Sequence, residues 1–244
     1  MFREEQTESK PHTAKQLLIY GYLYMNRTMR DEVKLSLEEL IIGCGYTPHK
    51  GKDRTNDQFR QELSDMYRNN YSGCFDLYTE SDISTINTNE RFVLNLSNIL
   101  YDYDSFTKIL FNDFDKIIHS DYKILLIYLY IKSYIFERKK DRDGTELESI
   151  QNKQEGYALS YEQISKGTNI AKSSVIKIII ALQDLQLIEC YTTGGYKDQD
   201  GKIRNAPNIY VLYGKQKEIP YIINNLRKQY KVNDFFEIKQ NNSS

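Results

Sequence analysis

Four residues at the head of an apolar repeat carry the sharpest chemistry in the chain. Lys172, Ser173, Ser174 and Lys177 sit in the first turns of a segment whose Val175, Ile179, Leu182 and Leu185 recur at helical spacing. Ammonium and hydroxyl groups placed there can donate hydrogen bonds to phosphate oxygens and to base edges in a groove. The bland reading of the same residues is a solvated helix face. A second basic set, Lys197, Lys202 and Arg204, lies in the polar stretch Thr193–Asn208 between two short strand-like runs, Ile188–Thr192 and Ile209–Tyr213. Charges on such a tip either grip phosphates or merely keep the tip in water. A third set, His49, Lys50, Lys52 and Arg54, precedes a helix on which Phe59, Leu63 and Met66 are the apolar positions. Basic groups beside the free N–H donors of a helix start suit a phosphate; a solvated surface loop is the alternative.

The elements that position the first set are legible around it. Ser160 is a cap for a short helix with Glu162 and Gln163 in its first turn and Ile164 as its apolar contact. Gly167-Thr168-Asn169 reads as a turn, with glycine and asparagine both tolerant of positive φ. Ile170 then returns to the core and the second helix begins. Two isoleucines, Ile176 and Ile180, lie one turn apart and off the apolar face. They fit thymine methyl groups in a major groove, or burial against a partner subunit or another part of the chain.

Helix, tight turn, helix and strand pair in this order resemble the winged helix-turn-helix family of DNA-binding domains. The residues that carry the resemblance are Leu159, Ser160, Ile164, Gly167, Ile170, Lys172, Ser173, Ser174 and Val175. Two departures stand beside it: Gln186 where relatives often have glycine, and Ile176 where they usually place a polar or basic reader. The resemblance implies a second helix in the major groove of double-stranded DNA. It also implies a wing whose Lys197, Lys202 and Arg204 touch the backbone or the adjacent minor groove.

The same two blocks occur earlier in the chain. Leu35-Ser-Leu-Glu-Glu-Leu40 matches Leu159-Ser-Tyr-Glu-Gln-Ile164 at a step of 124 residues, and Lys15–Tyr20 matches Lys123–Tyr128 at a step of 108. The difference of 16 residues is absorbed by a charged insertion within Glu137–Gly156. Two matching blocks in the same order read as a diverged tandem duplication. The expected fold is therefore mainly α with small β-hairpin wings (α+β), as two tandem winged helix-turn-helix domains. Residues 12–96 form the first domain, 97–121 a linker, 122–230 the second domain with a C-terminal helix, and 231–244 a tail. In the first domain Leu37–Ile42 is the short helix and Gly43-Cys44-Gly45 its turn. Cys74–Leu77 and Phe92–Asn95 make its wing, with Tyr78–Arg91 as a long polar tip. The helix Tyr122–Phe136 is apolar nearly all round, which means burial.

Composition limits the function classes. The net charge over 244 residues is −1, so any contact with nucleic acid rests on local patches. Asp76–Asp104 nets −5 while Leu159–Lys215 nets +2. Three scattered cysteines fit a reducing, cytoplasmic setting. The charged first residues lack a secretion signal's apolar core, and the longest apolar run, Ile124–Ile131, is too short to span a bilayer. No enzyme is expected. His12, His49 and His119 are isolated, no phosphate loop is present, and Cys44 with His49 lacks the second pair a zinc site needs. Neither a metal nor a small-molecule cofactor is expected. The layout resembles plasmid and phage replication initiators of low-GC Gram-positive bacteria, which implies a homodimer on repeated or palindromic DNA sites. A transcriptional regulator of a mobile element uses the same chemistry. A winged-helix protein–protein adaptor is the reading that the near-neutral charge, the acidic stretch and Ile176 with Ile180 favour.

Overall fold

A computed structural model describes residues 13–68, 77–96, 107, 109–135 and 156–236. The fold is α+β, with eight α-helices and small antiparallel sheets among the described residues. The chain divides into two compact units, Met1–Leu125 and Leu126–Ser244, and the division falls inside one helix.

The first unit begins with helix α1, Ala14–Met25. Thr13 caps it: its hydroxyl accepts from the Gln16 amide, and the Gln16 side chain accepts from the Thr13 amide. Strand β1, Glu32–Ser36, runs directly into helix α2, Leu37–Gly43. Ser36 and Glu39 form a second capping box at that junction. Gly45, at φ +81°, turns the chain after α2. Helix α3, Thr55–Arg68, buries Phe59, Leu63 and Met66 as its spacing predicts. Strands β2, Leu77–Tyr78, and β3, Arg91–Leu96, complete a sheet of order β1-β3-β2. Two expectations change here. Strand β1 precedes the short helix and sits at one edge of the sheet. The stretch Tyr78–Arg91 is not simply a polar tip, since Thr79, Ile83 and Ile86 are buried in it. Of the expected strand Cys74–Leu77, residues 74–76 lie outside the described residues. The segment read as a linker, 97–121, also contains helix α4, Phe111–Ile118. Its Phe114 ring packs so tightly on α1 that a Cβ at Gly21 would lie 2.3 Å from it.

Helix α5, Tyr122–Ile135, buries Ile124, Leu125, Ile127, Tyr128, Tyr130, Ile131 and Ile135, as an all-round apolar helix must. The second unit then repeats the element order of the first. Strand β4, Gly156–Leu159, leads into helix α6, Tyr161–Thr168, and then helix α7, Lys172–Asp184. Strand β5 is Ile188–Tyr191, followed by β6, Gly195–Lys197, β7, Ile203–Asn205, and β8, Asn208–Leu212. The main sheet is ordered β4-β8-β5, so the strand before the short helix again pairs with the last strand of the hairpin. Strand β4 overlaps the end of the insertion expected to be loose; residues 137–155 lie outside the described residues. Helix α8, Ile219–Tyr230, covers β8 with Ile222 and Leu226 against Ile209 and Val211.

One packing detail repeats with the elements. A Cβ on Gly43 at the end of α2 would lie 2.2 Å from the Tyr22 ring of α1. A Cβ on Gly167 near the end of α6 would lie 2.2 Å from the Tyr130 ring of α5. The tyrosines are 108 residues apart and the glycines 124, the same two steps that relate the repeated blocks. Gly167 is therefore not the turn residue its neighbours suggest. It lies inside α6 because the Tyr130 ring leaves no room for a side chain, and Asn169 takes the left-handed conformation instead, at φ +55°.

Candidate nucleic-acid interface

The presentation of α7 starts with the cap of α6. Ser160 Oγ accepts from the Gln163 amide at 3.1 Å, and Gln163 Oε1 accepts from the Ser160 amide at 2.8 Å. Thr168 Oγ1 donates to the Ile164 carbonyl at 2.7 Å and Ser165 Oγ to the Ile170 carbonyl at 2.7 Å, which ties the turn to the end of α6. Ile164 and Ile170 are buried, so the turn is anchored from below. The N-cap of α7 is Ala171, which has no side chain to satisfy the first amides of the helix. The Ser174 amide donates to the Ala171 carbonyl at 2.8 Å, which leaves the Lys172 and Ser173 amides without a side-chain cap at the positive end of the helix dipole.

Helix α7 buries Val175, Ile178, Ile179 and Leu182. Leu185, expected on that face, instead forms the C-cap, and Ile178 takes part in the core. At about 100° per residue, the opposite arc presents Ser173, Ile176, Lys177 and Ile180, with Lys172 at its edge. All five are exposed. Neither lysine makes an ion pair among the described residues. Ser174 lies on the flank and is half-buried, so Ser173 is the hydroxyl that faces out. The exposed carboxylates of α6 and α7 themselves are Glu162 in the first turn of α6 and Asp184 at the far end of α7.

Strands β5 and β8 pair antiparallel and continue outward as β6 and β7. The stretch Thr193–Asn208, expected to be a loop, is thus mostly hairpin. It bends between the two ladders because Pro207 has no amide to donate and Gly194 adopts φ +96°. Thr193 Oγ1 spans the bend by donating to the Pro207 carbonyl at 2.7 Å. At the tip Asp198 accepts from the Asp200 and Lys202 amides, and Gly201 takes φ +74°. Lys197, Lys202 and Arg204 are all exposed. Lys197 and Lys202 make no ion pair among the described residues. Arg204 does: its Nε donates to Asp198 Oδ2 at 2.9 Å. That guanidinium, with the two turn amides, holds the Asp198 carboxyl below its ordinary range. The free cationic charge of the tip is therefore carried by the two lysines.

The base of the tip has a support that helical or strand periodicity does not reveal. After α8, Phe236 pairs with Gly195: each amide donates to the other's carbonyl, at 2.8 and 2.9 Å. Phe235 packs edge-on against Tyr196 and Tyr230, and Arg227 bonds Asp234 at 2.7 Å. Residues 231–236, read as the start of a tail, are a strap along β6. Its trace in the sequence is two adjacent phenylalanines in a polar run. Residues 237–244 lie outside the described residues.

In the first unit His49, Lys50, Lys52 and Arg54 are exposed on the loop before α3, and none makes an ion pair among the described residues. The helix behind them differs from α7. Its Asp57, Glu62 and Asp65 are partly exposed, and Arg60 donates to Asp57 and to the Ile86 carbonyl. Residues Lys50, Asn56 and Arg60 line an open, polar hollow closed on its other side by Ser84–Asn89.

Burial pushes the Cys44 thiol up to about 12 and the Cys190 thiol up to about 11, so both stay protonated at neutral pH. Cys74 lies outside the described residues. Among the described residues no three His, Cys, Asp or Glu side chains gather as a metal site, and no helix is long and apolar enough to cross a membrane. No family model, curated protein or solved structure matches the chain.

Proposed function

We propose that the chain is a double-stranded DNA-binding protein built from two winged helix-turn-helix domains. Helix α7 enters the major groove and the β6–β7 wing lies on the adjacent backbone. The observation that carries this reading is the outward face of α7. Lys172, Ser173 and Lys177 are exposed, the lysines are unpaired among the described residues, and the first amides are uncapped. A helix about 10–12 Å across with its side chains matches the width of a B-DNA major groove. Lys197 and Lys202 then supply phosphate contacts from the wing, and Arg204 supplies one if it exchanges Asp198 for a phosphate. His49, Lys50, Lys52 and Arg54 are assigned to backbone contacts alone, because the helix they precede exposes carboxylates.

Fluorescence anisotropy with a labelled duplex at several salt concentrations tests the assignment. Log affinity should fall linearly with log salt, at a slope of about 0.9 per phosphate contact. Replacing Lys172 and Lys177 together by alanine should weaken binding roughly a hundredfold, taking about 1.5 kcal/mol for each charged hydrogen bond. Unchanged affinity in that double variant removes α7 from the interface.

The two-unit layout supports a replication initiator of a plasmid or phage, working as a homodimer in the cytoplasm. A transcriptional regulator of a mobile element is the alternative. Footprints on direct repeats beside the gene for this chain favour initiation, and a footprint confined to a promoter favours regulation. An adaptor that binds protein rather than DNA is favoured by one observation, the exposed Ile176 and Ile180. It predicts no salt-dependent binding to any duplex.

A further inference from the structure

We propose that α7 selects A·T base pairs through their thymine methyl groups, with Ile176 and Ile180 as the reading side chains. The proposal rests on the reading of α7 as a groove helix and names what that helix recognises. Ile176 is 39% exposed and Ile180 53% exposed, one turn apart, on the arc opposite the buried Val175, Ile178 and Leu182. An exposed isoleucine pair on a face that also carries Lys172, Ser173 and Lys177, with Asp184 one turn beyond Ile180, calls for an apolar target. The thymine methyl is the apolar group that B-DNA offers in the major groove.

The same pair works against G·C. An isoleucine pressed on guanine O6 and N7, or on the cytosine amino group, strips water from polar atoms and returns no hydrogen bond. Discrimination by such a penalty is as effective as a new attraction. The outward face also lacks arginine and asparagine, and Gln183, which can read adenine bidentately, stands one further turn along. A second copy of the chain is the competing occupant of this patch. A twofold pairing of two α7 helices centred on the isoleucines would bring Lys177, beside the axis, close to its own image, and like charges across an interface are unfavourable. The charge around the isoleucines suits phosphate and not a mirror of itself.

The test compares two duplexes of one sequence. A site is first selected from a random pool, and it should come out rich in A·T. Each thymine in the selected site is then replaced by deoxyuridine, which lacks only the methyl group. The full-length protein should bind the uracil duplex about tenfold more weakly, two buried methyl contacts being lost. The variant I176A/I180A should bind both duplexes equally, which also controls for any change that uracil makes in the DNA itself. Both side chains are exposed, so the variant should keep the parent's thermal midpoint. Equal binding of the two duplexes by the parent protein overturns the proposal while leaving DNA binding intact, and so does a G·C-rich selected site. A variant that turns from dimer to monomer with an unaltered ratio between the duplexes assigns the patch to self-association and also overturns it. Absence of binding to any duplex sinks the groove reading and this proposal together.

Discussion

Helices α3 and α7 hold the same place in the two units, yet one is wrapped into its own unit and the other is left bare. Their buried positions keep one register. Phe59, Leu63 and Met66 answer to Val175, Ile179 and Leu182 at a constant step of 116 residues. In that register Arg60 answers to Ile176, Gln61 to Lys177 and Ser64 to Ile180. The α7 residues are exposed. In α3, Arg60 reaches the Ile86 carbonyl at 2.8 Å, Gln61 bonds Asp65 at 2.9 Å, and Ser64 is only 8% exposed. The strand connection accounts for much of the difference. Residues 79–90 fold back toward α3, with Ile83 and Ile86 buried and Thr88 bonded to Asn56. Residues 192–207 instead extend outward as a paired wing. A shared scaffold does not imply a shared surface: the fate of one hairpin decides which helix keeps an exposed outer face.

If the scaffold is shared, its tightest packing detail should be costly to break in both units. Alanine at Gly167 drives a methyl into the Tyr130 ring, whose hydroxyl is held by the Gln163 carbonyl at 3.2 Å and by Tyr134 at 3.0 Å. Overpacking of this kind costs about 2 kcal/mol or more. At Gly43 the obstructing Tyr22 hydroxyl has no hydrogen bond among the described residues, so the ring yields more easily and about 1 kcal/mol is expected. Urea unfolding of the two variants measures both. A Gly43→Ala protein as damaged as Gly167→Ala would mean that Tyr22 is anchored as firmly as Tyr130.

A charge exchange sharpens the surface side of the comparison. Lys177→Gln should weaken DNA binding about tenfold, or 1.4 kcal/mol, and lower the salt slope by about one. Gln61→Lys adds the same charge at the matching place on α3 and should change neither quantity. An increase in affinity with Gln61→Lys would show that α3 also meets the duplex.

The sequence exposes some of this organisation and hides the rest for identifiable reasons. The capping serine Ser160 and the buried triplets of α3 and α7 are local, periodic features, and they appear as expected. Strands β1 and β4 do not announce themselves, because Glu32–Ser36 and Gly156–Leu159 are short and take their pairing from strands more than 45 residues away. Gly167 looks like a turn residue because the ring that demands it comes from Tyr130, in another helix. Lys177 and Ile176 could be found from helical phase alone. The neutralising pair on Arg204 was signalled only by the Asp198-Gln-Asp-Gly201 turn. That Ser173 rather than Ser174 faces outward depends on where the core face lies, which is a tertiary fact.

Among the described residues only the second unit has a strap of this kind, along β6, and removing it should bring a smaller loss. Phe235→Ala deletes the ring that closes the Tyr196–Tyr230 cluster at the base of the wing. The wing should then pivot more freely about Gly194 and Pro207, and the proposed phosphate contacts from Lys197 and Lys202 should carry a larger ordering cost. A three- to fivefold loss of affinity, about 1 kcal/mol, should accompany faster hydrogen exchange at the β6 and β7 amides. Exchange within α7 should stay as it was. Slower exchange or unchanged affinity would mean that the strap merely covers apolar surface.

The smallest contrast lies in the two capping boxes, and acid separates them. In α2 the box partner is Glu39, which also pairs with Arg91. That guanidinium, followed by the Ser36 amide, holds the Glu39 carboxyl below its ordinary value of 4.5. A carboxylate depressed in the folded state contributes stability above its ordinary value and loses it as pH falls through the folded one. In α6 the matching residue is Gln163, which has nothing to titrate. Between pH 5 and pH 3, roughly spanning the carboxylate range, the Ser36 amide resonance should move with the protonation of Glu39. The Ser160 amide should not follow. Because Glu39 is solvent-accessible and its pair with Arg91 is screened by salt, the unfolding midpoint should shift little, and less still in high salt. Replacing Glu39 by glutamine should make the first box behave like the second, and a Ser36 resonance that still titrated in that variant would trace the effect to another acid.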